Sequence, residues 1–106
     1  MKWLEFIRSA VEAQDYEISL HADDERLAEG LTIAEVEAAL RSCELLEDYR
    51  DDGRGPSCLV LGTVPDGKSV HVVCGRNSLR QLVLITVYIP KMPKWRDLRT
   101  RNRKRE

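Results

Sequence analysis

Two histidines, His21 and His71, share this chain with tyrosines at 49 and 88 and with Arg26, Arg54, Arg76, Arg80 and Lys91. Imidazoles exchange protons near neutral pH, phenols donate hydrogen bonds, and guanidinium groups grip phosphate. Together these types suit general acid–base chemistry on an anionic substrate. His21 lies in "ISLHADDERLAEG", where a strand pattern gives way to a helix. The positive end of the helix dipole favours a neutral imidazole there, a competent base, whereas Asp23, Asp24 and Glu25 favour the imidazolium. Thr86 and Tyr88 fall together in a later strand. The loop "DYRDDGRGPS" puts Arg54 between two glycines, where backbone can approach a phosphate closely. Trp95, among lysines and an arginine after "IPKMP", is placed to stack on a base.

Each candidate also has a plain structural reading. His21 would be a hydrogen-bonder at a junction, His71 a packed strand residue, and Thr86 and Tyr88 ordinary sheet residues. Other chemistries lack their patterns: no Gly-rich phosphate loop, no nucleophile elbow, no closely spaced pair of metal ligands. Neither a metal nor a cofactor is expected. Cys43, Cys58 and Cys74 form an odd set without Cys-x-x-Cys spacing, which fits a reduced, cytoplasmic protein.

The elements that must position these residues follow from periodicity. With 106 residues the chain makes one domain, residues 1–96, and a basic, flexible tail, residues 97–106. Trp3, Leu4, Ile7, Ala10 and Val11 form a helical stripe over residues 2–13; its charged interruptions rule out a signal-peptide core, and no apolar run spans a bilayer. "YEISL" reads as a short strand, and "HADDERLAE" as a helix ended by Gly30. Thr32 and Glu35 make a capping box, stapled by Leu31 and Val36, for a helix that buries Ile33, Val36, Leu40 and Cys43. Thereafter the period is two, and "ELLEDY", "CLVLGTV", "SVHVVCG" and "LRQLVLITVY" read as four strands. The expected fold is α+β, with N-terminal helices on one face of an antiparallel four-stranded meander.

Register decides which side chains share a face. Val70, Val72 and Cys74 mark the core side of their strand, which leaves His71 on the open side. A two-residue turn at Asn77-Ser78 would add Gln81, Val83, Ile85, Val87 and Ile89 to the core, with Arg80, Leu82, Leu84, Thr86 and Tyr88 opposite. His71 would then face Leu84, with Thr86 diagonal to it. A turn at Asp66-Gly67 would set Gly62 beside His71 by the same logic.

The order of "ISLHA", a glycine before the capped helix, "LEDYRDDGRGPSCLVLG", "VHVVCG" and "LITVYIP" resembles bacterial domain-of-unknown-function family 4258, over about residues 16–96. The resemblance implies a fold like that of the RelE and MqsR toxins (a barnase-like α+β architecture). It implies an endoribonuclease of a toxin–antitoxin system, cleaving mRNA by 2′-hydroxyl attack without a metal. Its partners would be RNA, on or off the ribosome, and an antitoxin, of zinc-finger type by the MqsR analogy, with no membrane involved. The catalytic set would be His21, His71, Thr86 and Tyr88, and the phosphate-binding set Arg26, Arg54, Arg76, Arg80, Lys91 and Trp95. This chain departs from the family pattern where arginines are expected after the histidine: Glu25 and Glu29 stand there, with Arg26 one step along. The alternative is a non-catalytic protein- or RNA-binding module on the same fold. Charge bears on the choice, since residues 1–52 carry about −10 and residues 91–106 about +6. An acidic half argues against an RNA surface unless its acids lie away from the open face.

Overall fold

In the computed structural model, which describes residues 2–49, 55–91, 95 and 97–101, helix α1 (Trp3–Ala13) buries Trp3, Ile7, Ala10 and Val11 along one stripe. Strand β1 (Tyr16–Ile18) follows, then α2 (Leu20–Ala28), α3 (Ile33–Arg41), β2 (Glu44–Tyr49), β3 (Ser57–Thr63), β4 (Ser69–Arg76) and β5 (Leu82–Tyr88). Ser19, not His21, begins α2. Its hydroxyl accepts from the Ala22 N–H and donates to the Ile85 carbonyl at 2.9 Å, so the start of the helix is tied to the sheet. Gly30 adopts φ 72°, and both bonds of the Thr32–Glu35 capping box form, at 2.9 and 3.0 Å.

The class is α+β, but the sheet has five strands and is mixed, in the order β1-β5-β4-β3-β2. The four expected strands do pair antiparallel, and β1 adds itself parallel to β5. An isolated "YEI" would leave its backbone groups unpaired, and the free edge of β5 supplies partners. α1 and α3 cover one face, where Val60, Val70, Val72, Leu82, Leu84 and Val87 meet Ile7, Val11, Val36 and Leu40. A Cβ on Gly62 would lie 2.4 Å from the Ala39 carbonyl oxygen, so α3 rests directly on β3. Cys58 and Cys74 are cross-strand partners inside this core, and Cys43, Cys58 and Cys74 are all free and buried. Among the described residues no helix is long and apolar enough to cross a membrane.

Both hairpins differ from the expected ones. Val64 pairs with Lys68 around a loop with Gly67 at φ 96°, which sets Leu61, not Gly62, opposite His71. Gly62 belongs to the helix-covered face. The Asn77–Gln81 pair closes the next loop, with Arg80 at φ 63° and the Asn77 side chain accepting from the Leu79 and Gln81 N–H groups. His71 therefore faces Tyr88, not Leu84. Ile85 is an unpaired extra residue between the Cys74–Leu84 and Val73–Thr86 pairs, a β-bulge. It inverts the first half of the strand: Leu82 and Leu84 go to the core, Val83 and Ile85 to the open face. Beyond the bulge the expected phase holds, with Val87 inward and Thr86 and Tyr88 outward.

Candidate functional site

α2 runs beside β5, with Ala22 in the core and His21 and Glu25 turned to the rim of the open face. There His21, Thr86, Tyr88, Lys91 and Trp95 line one groove of about 420 Å³, together with Glu25 and Ile89. β1 pairs with β5 only as far as Leu84, so beyond it peptide groups on that edge of β5 are free for side chains from α2. Ser19 takes the Ile85 carbonyl, and Glu25 Oε1 accepts the Val87 N–H at 2.9 Å. The same Oε1 lies 3.3 Å from His21 Nε2, one helical turn away. The contact sets the exposed His21 ring beside a carboxylate that the Val87 amide holds in place. His21 is 69 % exposed and open to a ligand. Lys91 Nζ lies 3.4 Å from Glu29 Oε1, an exposed pair that a stronger anion can displace.

His71 lies behind this groove, with no solvent exposure. Its Nε2 is 2.6 Å from the Leu98 carbonyl oxygen, which only accepts, so Nε2 carries the proton. Nδ1, 3.1 Å from the Tyr88 hydroxyl, then accepts from it. Burial pushes the His71 pKa below 6.5, a shift the Leu98 bond opposes. Burial also raises the pKa of Tyr88, partly offset by Trp95 and Arg101. His71 is thus enclosed and anchors Tyr88, which itself lines the groove.

Trp95 is buried too, at 2 % exposure. Its ring stands edge-on to His71 at 4.3 Å between centroids, and the Arg101 guanidinium covers it at 4.5 Å. A face occupied by Arg101 leaves little for a base. Residues 97–101 of the tail lie against β2, where Arg99 bonds Glu44 at 2.6 Å and Arg101 bonds Glu47 twice at 3.0 Å. Arg101 holds the Glu47 carboxyl below the usual carboxylate range, and burial with the Glu47 bond pushes Tyr49 up to about 12. The remainder of the tail, 102–106, is outside the described residues, as is Arg54.

The remaining arginines do not gather at the groove. Arg26 bonds Asp23 at 2.7 Å and the Leu31 carbonyl at 3.1 Å, and so holds the end of α2. Arg80 lies in the β4–β5 turn beside Phe6 and Ala10, and Arg76 borders a second hollow on the open face. Glu25 and Ile89 are the groove residues that the sequence did not single out. His21-x-x-x-Glu25 spacing was the available signal for Glu25. Among the described residues no group of three His, Cys, Asp or Glu side chains is placed to hold a metal ion.

The fold and groove define a small α+β domain that carries a helix-borne His–Glu pair over the open face of a mixed sheet. The model of the domain of unknown function DUF4258 matches residues 18–89, from the strand before α2 to the end of β5. The chain belongs to that family. No curated protein and no solved structure matches it.

Proposed function

We propose that the groove is a metal-independent endoribonuclease site. The observation that carries this reading is the convergence of an exposed histidine beside a fixed carboxylate, Thr86 and Lys91 in one open groove. In the proposed step His21 Nδ1 takes the proton of a ribose 2′-hydroxyl as its oxygen attacks the adjacent phosphorus. The P–O5′ bond breaks, leaving a 2′,3′-cyclic phosphate. Lys91 and the Thr86 hydroxyl stand where the phosphorane charge would develop. Tyr88 has its proton directed at His71 and a raised pKa, so the 5′-oxygen takes its proton from water, and turnover is slow. A single-site general base is worth about 10²–10⁴-fold in rate. His21→Ala should therefore lose at least a hundredfold of cleavage while the fold persists, and His71→Gln should lose far less. The likeness to RelE and MqsR toxins adds the expectation that expression arrests bacterial growth until a separately encoded antitoxin, such as a zinc-finger protein, binds.

A second reading, a non-catalytic binding module, draws on the charge. Lys91 is the one cation among the described lining residues, beside Glu25. Purified protein incubated with RNA, with and without ribosomes, separates the two. Cyclic-phosphate products that disappear in His21→Ala support cleavage. Intact RNA with folded wild-type protein overturns it in favour of binding.

A further inference from the structure

Val73 and Thr86 are paired across β4 and β5. Thr86 lines the groove, and Val73 lines a larger hollow of about 560 Å³ on the same open face. Paired Cα atoms on neighbouring antiparallel strands lie about 5 Å apart, so the two cavities abut. Val73, Val83 and Ile85 make an apolar floor, since the bulge turned the latter two outward. Tyr49 forms a wall, and its hydroxyl is engaged with Glu47 and Arg101, which fixes the ring at the hollow's edge. Arg76 borders the hollow, half-buried, and makes no ion pair with any described residue. Arg26, Arg41, Arg99 and Arg101 each have a carboxylate partner; Arg8 and Arg80 also have none among the described residues, but neither lines this hollow. Desolvating an unpaired guanidinium beside an apolar floor is costly unless an anion arrives with the ligand. The floor wants a flat apolar body and Arg76 wants an anion attached to it.

We propose that this hollow is a nucleotide subsite of the groove, taking one unstacked base against Tyr49 and the floor and its phosphate on Arg76. This rests on the RNA reading of the groove and names the part of the site that would select the nucleotide next to the scissile bond. The Ser57 hydroxyl, also at the hollow, is available for the base edge.

The test titrates ¹⁵N-labelled protein with each of the four nucleoside 3′-monophosphates and, separately, with inorganic phosphate. Shifts at Val73, Gly75, Arg76 and Val83, tighter for at least one nucleotide than for phosphate, are expected. Arg76→Gln should weaken that binding about tenfold, and Val73→Phe, which fills the floor, should abolish it. On a short RNA, Arg76→Gln should raise KM about tenfold with kcat unchanged, the signature of lost uniform binding. Nucleotide binding in the hollow without any RNA cleavage keeps the subsite and overturns the cleavage reading. Cleavage with the same KM in Arg76→Gln keeps cleavage and overturns the subsite. Phosphate binding as tightly as every nucleotide also overturns it.

Discussion

His71 makes the stability of this domain depend on pH in a way that its surroundings dictate. The ring is neutral and enclosed, giving its Nε2 proton to the Leu98 carbonyl and receiving the Tyr88 hydroxyl proton at Nδ1. A second proton would sit on Nδ1 against that hydroxyl, which would have to turn its own hydrogen away. Burial therefore holds the pKa below 6.5, the value in the unfolded chain. Between the folded and unfolded values the unfolded state binds more protons, so stability rises with pH there. It should be constant above about pH 6.5 and fall below it, at a slope limited to about 1.4 kcal/mol per pH unit for one proton. His71→Gln keeps an amide N–H for Leu98 and removes the titration. It should cost about 1–2 kcal/mol at pH 7.5, from the lost Tyr88 bond and ring contacts. Urea unfolding of both proteins from pH 7.5 to pH 5.0 reads the difference and stays above the range where Glu47, with its lowered pKa, would protonate. The gap between wild type and variant should shrink as the pH falls. Parallel curves across that range would refute the enclosed, singly protonated His71.

Two further outcomes follow from contacts made at the ends and centre of the sheet. Gly62→Ala places a methyl 2.4 Å from the Ala39 carbonyl oxygen and 2.9 Å from the Ala39 side chain, so α3 must lift from β3. A loss of about 2–3 kcal/mol in chemical denaturation is expected, as for other overpacked cores, and a neutral result would mean that α3 does not rest on Gly62. Arg101→Ala removes the guanidinium from the Trp95 ring and from Glu47. It should cost about 1 kcal/mol and raise acrylamide quenching of Trp95 fluorescence, with Trp3, buried on the other face, as a constant background. Unchanged quenching would show that the tail is held without Arg101.

The helices were legible because their signals are local. The capping box, the Gly30 stop and the α1 stripe each need only a few neighbouring residues, and all three form. The open side of β4 was legible for the same reason, since Val70, Val72 and Cys74 alternate cleanly. β5 was not, because its phase changes within the strand. Ile85 is stabilised as a bulge by Ser19 and Glu25, residues some sixty positions away that no local pattern connects to it. The β4–β5 turn was equally hidden, since it uses Arg80, not glycine, at positive φ. Thr86 and Tyr88 nonetheless reached the expected face, with the wrong partners for His71. His71 stands on the expected face, but its cover was not legible, because Trp95 and Leu98 come from beyond the sheet. Composition had marked the tail as an exposed basic end.

The charge asymmetry acquires a different meaning once the chain is folded. Glu44 and Glu47 lie on β2, an edge strand, and the arginines of the tail bond them there. Two acids of the first half and two bases of the last are thus paired with each other on an edge strand, where charged side chains discourage pairing with another chain. Arg99 and Arg101 are then not free anion-binding groups. Among the described residues, the cations that line the groove and the hollow are Lys91, loosely held by Glu29, and Arg76. Two phosphate contacts give only a weak, salt-sensitive attraction. On the proposed reading, an RNA held on this face would owe its position mainly to the shape of the groove and hollow, and His21 would act from beside a carboxylate that the Val87 amide holds in place.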